Sequence, residues 1–286
     1  MKWLWRTLLA LLVLLGGTLV WVWSHTESRL ARRYDIAAKP PVLPAGPDAL
    51  AEGARIAQVR GCMECHGEDL GGKVLISGGP GRISAANLTR GAGGIGTRYG
   101  DVDWVRAIRH AVGPGGRPLW LMPSEDNINI SQADLGKLIA FLKQLPAVDR
   151  PAPQQSLSLL GRVLFAFDLL PLLQAERIDH TTPPAPDAID DPDRGRYLAQ
   201  ICTGCHGRTL EGGKIAGLPP DFPPAADLTG GSKVANYTEV QFAAAVREGR
   251  AADGRSIDPR HMPWVAFAAM TDTEISQLHG YLQTLP

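Results

Sequence analysis

The chain contains Cys62-Met63-Glu64-Cys65-His66, and the same spacing returns in Cys202-Thr203-Gly204-Cys205-His206. This C-x-x-C-H pattern is the signature of covalent attachment of a c-type haem. Two thiols on about one helical turn can reach the two vinyl groups of one porphyrin, and the next histidine then lies under the ring, where it can bind iron. The motifs therefore predict two covalently bound haem c groups (iron), held by Cys62, Cys65 and His66 and by Cys202, Cys205 and His206.

A C-x-x-C pair also occurs in zinc sites and in redox-active dithiols, which are the alternative interpretations. All four cysteines of the chain lie in the two motifs, so none remains for a disulfide framework. Repetition of the complete five-residue pattern favours the haem interpretation.

The composition limits the class of protein. With 286 residues the chain has room for two domains and a smaller element. Its formal net charge is zero, so it lacks the basic footprint of a nucleic-acid-binding protein. Glycine and proline are abundant (32 and 23 residues), which indicates loop-rich domains.

The N-terminal stretch, from Trp3 to Trp23, is almost wholly apolar and carries tryptophans at both ends. Its length suffices to cross the hydrocarbon core of a bilayer, and the paired tryptophans resemble two interfacial belts. A cleaved signal peptide is the alternative, with Lys2 and Arg6 in its basic region. No small-x-small cleavage site precedes Glu27, so we expect residues 1–24 to be a transmembrane anchor, followed by a linker over 25–47.

The chain also contains an internal repeat with an offset of about 140 residues. The offset relates His66 to His206 and the closing stretch from Ser131 to the one from Thr271. Between these points the register slips by two residues, as in the pair Tyr99 and Tyr237. The simplest explanation is two homologous haem domains, over about 48–147 and 188–286.

Each repeat is predicted to contain three principal helices, and the last is the best marked. Ser131 with Asp134, and Thr271 with Glu274, form capping-box patterns at its start. Apolar residues then recur on one helical face. The first helices are expected over Leu50–Gly61 and Arg194–Ile201, and the middle helices from near Asp101 and Thr238.

Two methionines are candidates for the second axial position of each iron. Met122 and Met262 each precede a proline and lie 56 residues after the motif histidine. Axial methionine is a standard ligand of haem c, although methionine is more often a core filler. The predicted iron ligands are therefore His66 and Met122 in the first repeat, and His206 and Met262 in the second.

Other methionines and histidines of the chain match this pattern less well. Met63 and Met270 have ordinary settings, inside a motif and ahead of the last helix. His261 is a rival ligand for the second iron, but the matching position holds Leu121. His110 and His279 have no partner in the other repeat and are interpreted as ordinary core or surface histidines.

The C-x-x-C-H motif, the later Met-Pro and the closing L-x-x-(F/Y)-L-x-x-LP helix resemble those of class I cytochromes c, and the resemblance covers both repeats. It implies an all-α fold, with two tandem cytochrome c domains behind a single transmembrane helix. It also implies a proline whose carbonyl accepts the proximal histidine N–H, for which Pro80 and Pro220 are the candidates. In this family the first and last helices usually cross where a glycine meets an aromatic residue. The crossing is less clear in repeat two, because Gly195 lies closer to its motif than Gly53 does.

Residues 148–187 match neither repeat and are expected to form a Pro-rich linker with an apolar helix. The apolar run is interrupted by Arg162, Asp168 and Pro171, so it is too short for a second span. We expect this helix to lie against a haem domain or on the membrane surface.

The resemblance implies that haem is attached outside the bacterial cytoplasmic membrane, so both domains are expected in the periplasm. The predicted function is relay of electrons between redox partners, with no catalytic residue. The expected donor is a dehydrogenase or a quinol-oxidising complex, and the expected acceptor is an oxidase or a soluble carrier. The alternatives are a cytochrome subunit of a membrane dehydrogenase or oxidase complex, and a diheme peroxidase, which would need an iron with an open position.

Overall fold

The computed structural model describes residues 1–151, 154–187, 193–218 and 221–286. Regular structure in these residues is mostly helical. The helices are α1 (Lys2–Ala31), α2 (Pro47–Val59), α3 (Cys62–His66), α4 (Asp101–His110), α5 (Gln132–Leu142), α6 (Leu159–Ala166), α7 (Asp193–Ala199), α8 (Thr203–His206), α9 (Glu239–Glu248), α10 (Trp264–Phe267) and α11 (Asp272–Gln283). Short 3₁₀ turns lie at Pro114–Gly116, Ser124–Asn127, Gln174–Glu176, Gln200–Cys202 and Val234–Asn236.

The all-α prediction omits a small antiparallel sheet. Its strands, in spatial order, are β1 (Lys73–Gly78), β2 (Gly81–Ala85) and β3 (Ser156–Leu157). The hairpin turns at Gly79-Pro80, and the third strand comes from the segment between the repeats. That segment is therefore paired with the first repeat and is more than a spacer.

The first helix of each repeat crosses the last helix at a glycine. A Cβ on Gly53 would lie 2.2 Å from the carbonyl oxygen of Lys137, and a Cβ on Gly195 would lie 2.2 Å from that of Gln277. An aromatic residue, Phe141 or Tyr281, closes each crossing. The crossing is thus as clear in the second repeat as in the first. The shorter spacing is absorbed because α7 ends at Ala199 and a 3₁₀ turn leads into the motif.

The predicted starts of the last helices agree with the structure, whereas the first helix, predicted over Leu50–Gly61, runs from Pro47 to Val59. The Ser131 hydroxyl accepts a hydrogen bond from the Asp134 N–H at 3.1 Å and caps α5. Thr271 and Glu274 form a reciprocal capping box on α11. Satisfying the free N–H groups of a first turn in this way fixes where each helix begins.

Each repeat has a core of its own. Buried residues of the first core are Ile56, Ala57, Leu70, Leu88, Trp104, Val105, Ile108, Ile130, Leu135, Leu138, Ile139 and Leu142. Those of the second are Val59, Tyr197, Leu198, Ala199, Leu210, Leu228, Phe242, Val246, Met270, Ile275, Leu278 and Leu282. Val59, at the end of α2, packs into the second core, so the two cores meet there. Met63 packs against the first core, as expected for an ordinary methionine.

The two repeats contact each other through matching surfaces. The Gln58 side chain donates to the Val265 carbonyl, and Gln200 donates to the Glu125 carbonyl, each at 3.4 Å. These pairs occupy equivalent places in the two repeats, so the contact resembles the self-complementary interface of a twofold dimer.

Ion pairs reinforce the contact between the repeats. Arg55 binds Glu274 at 2.6 Å, and Arg194 lies 3.6 Å from both Asp134 and Glu274. The Tyr197 hydroxyl donates to Asp134 at 2.8 Å. Asp134 and Glu274 are the third residues of α5 and α11. The first turn of the last helix in each repeat therefore also forms ion pairs with the other repeat.

One helix of the described residues, α1, is long and apolar enough to cross a membrane or to be a signal sequence. It runs to Ala31, beyond the predicted anchor of residues 1–24, so the first part of the predicted linker is helical.

Candidate haem sites

The first motif opens onto a large cavity. Gly61 adopts a left-handed conformation (φ 69°) and ends the approach from α2, after which Cys62–His66 forms a single short helix. Cys62, Cys65 and His66 line the cavity, and Met122 lines it too. Met122 lies 56 residues after His66 in the sequence, yet both side chains line the same cavity. The structure thus brings the four predicted residues of the first site together around one space.

The cavity fits a porphyrin in the character of its lining. Its space of about 980 Å³ includes a part that is open to solvent. Its walls are mainly apolar, formed by Leu88, Ile95, Tyr99, Ile108, Leu119, Leu138 and Leu142. An apolar wall around an iron keeps water from it and lowers the local dielectric.

Two buried polar atoms of the cavity wall have no hydrogen-bond partner, Nε1 of Trp104 and Oγ of Ser84. An unsatisfied buried donor is rare because it costs about 1–3 kcal/mol. A haem carries two carboxylates, which can accept hydrogen bonds from donors such as these. The residues present therefore fit the group. Neither residue was found from the sequence, since a tryptophan or serine on an apolar element carries no ligand signal.

The motif histidines are oriented by backbone carbonyls. Nδ1 of His66 lies 2.7 Å from the Ala86 carbonyl oxygen, and Nδ1 of His206 lies 2.7 Å from that of Ala226. Because a carbonyl only accepts, each Nδ1 carries the hydrogen, and Nε2 keeps the lone pair that a metal needs. Burial lowers the pKa of both histidines, which keeps them neutral.

The proline assignment is wrong for the first site. Pro80 lies at the tip of the β1–β2 hairpin, and its carbonyl accepts the N–H of Ser158 at 3.1 Å. The hairpin carries Pro80 away from His66, and the chain returns to the histidine only at Ala86, just after β2. Pro220 lies outside the described residues, and the acceptor for His206 is Ala226.

The thiols do not have the character of a metal-thiolate or redox site. Burial raises the pKa of Cys62 and that of Cys202 to about 12. Reactive thiols need the opposite shift. Among the described residues no group of three or more histidine, cysteine, aspartate and glutamate side chains is arranged to hold a metal ion. These observations count against the zinc and dithiol alternatives.

The second motif holds its histidine in the same way as the first but is more exposed. Cys202 and Met262 both pack against the second core, while Cys205 is exposed. Gly204 and Glu64 occupy equivalent positions of the two motifs. The Asp126 carboxyl of the first repeat fills the space beside Gly204, where a Cβ would lie 2.6 Å from Oδ2.

Asp126 is a functional candidate that the sequence did not reveal. Its carboxyl lies 3.4 Å from the Thr203 hydroxyl, inside the second motif. Burial, and to a smaller extent the charge of Glu125, raise the pKa of Asp126 to about 7. Thr203 and Arg60 act in the opposite direction. The first repeat therefore places an ionisable group next to the second candidate haem site.

The other histidines have structural partners. His261 packs edge-to-face on Phe222, with ring centroids 5.0 Å apart. Nδ1 of His110 lies 3.2 Å from Nδ1 of His180, and Nε2 of His279 lies 2.9 Å from the Tyr237 carbonyl oxygen. Met270 is buried in the second core. These contacts account for the side chains without any metal.

Comparison with known proteins supports a c-type cytochrome. Residues 192–286 match the family model described as "Cytochrome c". A stretch of the chain is 33% identical over 114 residues to the fructose dehydrogenase cytochrome subunit of Gluconobacter japonicus. That match covers 36% of this chain and 23% of the relative, so the chain spans about a quarter of the curated relative's length. The family match implies covalently bound haem c in the second repeat.

Proposed function

We propose that the chain is a membrane-anchored diheme cytochrome c that relays electrons. The observation that carries the proposal is the duplicated site. In both repeats the motif histidine is held at 2.7 Å by a carbonyl 20 residues further along the chain. A site built twice by the same residues supports two haems with the same chemistry.

In this proposal Cys62 and Cys65 hold the first haem, and Cys202 and Cys205 hold the second. His66 with Met122, and His206 with Met262, are the axial ligands. A haem c so ligated supplies one-electron exchange between its ferrous and ferric states. The protein's own part is to orient each imidazole, to exclude water with an apolar wall and to hold the two sites against each other.

The proposed location rests on α1 for the anchor and on the resemblance to c-type cytochromes for the side of the membrane. The helix is apolar over a length that suffices for one crossing, and its exposed residues are mainly aliphatic and aromatic. We propose that it anchors the chain in the bacterial cytoplasmic membrane with both haem domains in the periplasm. Confinement beside the membrane raises the effective concentration of the haems toward membrane-bound redox partners.

A second candidate is a cytochrome subunit of a dehydrogenase complex. The relative's name identifies that protein as such a subunit. This chain could receive electrons from a dehydrogenase in the same way, and a stable complex would copurify after extraction in mild detergent. A free relay would be extracted alone and would exchange electrons with its partners by collision.

The proposal is tested by the choice of oxidant. Fully reduced protein should be oxidised rapidly by a small cytochrome or copper protein, because outer-sphere transfer needs no open iron position. Hydrogen peroxide should oxidise it slowly and without turnover, because methionine closes each iron. Rapid, saturable peroxide turnover would instead support the diheme peroxidase.

A further inference from the structure

The end of α1 is bound to the segment between the repeats by Arg162. Its guanidinium donates to the Thr26 hydroxyl at 2.8 Å and pairs with Glu27 at 2.6 Å. It also lies over the Trp23 ring, 3.8 Å from the centroid. Arg162 is almost fully buried in this contact, so α6 is attached to α1 beside the second pair of tryptophans.

Arg29 makes a second attachment one turn further along α1. It pairs with Glu176 at 2.6 Å and with Asp168 at 2.9 Å, and donates to the Phe165 carbonyl oxygen at 2.9 Å. Charge-assisted bonds from one guanidinium to several acceptors give a well-defined geometry. These bonds attach the end of α1 to the segment between the repeats.

The same segment is fixed to the first repeat. Strand β3 pairs with β2, and Phe165, Leu172 and Leu173 are buried together with Ile83 of β2. The segment therefore joins α1 to the first repeat as one packed unit.

Among the described residues of this segment four large apolar side chains remain exposed, and we call them the apolar patch. They are Leu159 (56% exposed), Leu160 (51%), Phe167 (56%) and Leu169 (62%). The patch meets the apolar surface of α1 at Phe167, whose ring contacts that of Trp21 at 5.6 Å between centroids. Arg162 and Arg29 turn inward to their partners. Asp168, which lies between Phe167 and Leu169 in the chain, pairs with Arg29 but has a side chain that is 78% exposed, so this end of the patch carries one carboxylate.

We propose that the apolar patch lies in the membrane interface, at the boundary between headgroups and acyl chains. The proposal rests on the proposed anchoring by α1. Trp21 and Trp23 would lie at that depth as an aromatic belt, and Phe167 is in contact with the first of them. An apolar surface beside such a belt is removed from water by the lipid itself. The first repeat is then held against the bilayer at two points and cannot rotate freely about α1.

The test uses the rate at which single cysteines react with a water-soluble maleimide in proteoliposomes. The native cysteines are consumed in thioether bonds, and the parent protein checks this by taking up no label. The full-length variants are Leu160→Cys and Leu169→Cys in the patch, Val13→Cys in the middle of α1, and Val240→Cys on α9. Each of these side chains is more than half exposed in the protein, so slow labelling cannot come from the fold.

Labelling of Leu160→Cys and Leu169→Cys is expected to be slower than that of Val240→Cys. The labelling rate should fall about tenfold for each unit by which the apolar surroundings raise the pKa of the thiol. The slow rate should persist when protein is diluted in lipid. Loss of protection on dilution would assign the patch to a second copy of the chain and overturn the proposal.

Val13→Cys distinguishes failure of the interfacial location from failure of the anchor. If Val13→Cys is protected while the two patch variants react as fast as Val240→Cys, the interfacial location is wrong and the anchor stands. If Val13→Cys also reacts as fast as Val240→Cys, α1 does not cross the bilayer, and both proposals fail.

Discussion

The carboxyl group of Asp126 lies against Gly204, in the middle of the second C-x-x-C-H motif, so close that a Cβ on the glycine would be 2.6 Å from Oδ2. Asp126 follows Met122 by four residues. The loop that carries the proposed ligand of the first iron therefore contacts the motif that holds the proposed second haem. The two sites are neighbours through this contact.

Asp126 predicts a pH-dependent potential for the second haem. Its pKa is raised to about 7 by burial and by Glu125. Reduction adds negative charge near the carboxyl and raises this pKa further, so the reduced protein takes up a proton. The potential of this haem should fall as pH rises through about 7, by up to about 59 mV per pH unit. Redox titration between pH 5 and 9 measures it.

Asp126→Asn is the variant and Glu125→Gln the matched control. Asp126→Asn should remove the slope, since the amide does not titrate. Glu125→Gln removes a charge that is partly exposed and paired with Arg208, and should leave a slope centred at a lower pH. The other side chains that face Asp126 are those of Arg60 and Thr203. A slope that survives in Asp126→Asn would assign the proton to another group.

The glycine of the second helix crossing predicts a large effect on stability. In Gly195→Ala the new methyl group would lie 2.2 Å from the Gln277 carbonyl oxygen, and neither backbone can yield without separating α7 from α11. We expect a loss of about 1–3 kcal/mol in the free energy of unfolding, as for other overpacked cores. Urea unfolding followed by circular dichroism measures it.

Gly280→Ala is the matched control. Gly280 lies in α11, where a Cβ meets nothing within 4 Å. This change should leave stability unchanged or raise it by about 0.5–1 kcal/mol, because alanine favours a helix interior. Equal effects of the two substitutions would mean that the crossing is not close.

The methionine assignment predicts matching defects in the two repeats. Met122→Ala or Met262→Ala should open one iron to carbon monoxide. It should also lower the potential of that haem by on the order of 0.1 V, within the roughly 0.8 V that axial ligands span. Met63→Leu, which leaves a core position apolar, serves as the control. An unchanged spectrum and potential in Met262→Ala would point to another ligand of the second iron.

Sequence patterns predicted the parts of the fold that local chemistry determines. The start of α11 follows from Thr271 and Glu274, whose side chains satisfy each other's backbone N–H groups. The site cysteines and histidines follow from their spacing. Met122 was found through the repeat, and the structure places it in the cavity lined by His66.

What the sequence did not predict depends on contacts between distant segments or on backbone atoms. Strand β3 pairs with β2 across about 75 residues, and a two-residue strand has no period to detect. The acceptor for His66 is a carbonyl, which any residue supplies, so Ala86 has no signature. No sequence pattern distinguishes Asp126 from other loop aspartates, because its special environment is formed by residues of the second repeat.

The central claim is that both repeats hold a covalent haem, and the haem content of the full-length chain tests it most directly. Intact-mass measurement after acid–acetone extraction should give the polypeptide plus two haems. A Cys62→Ser/Cys65→Ser variant should retain one haem and a Cys202→Ser/Cys205→Ser variant the other. A wild-type mass with a single haem, lost completely in one of these variants and unaffected by the other, would contradict the account.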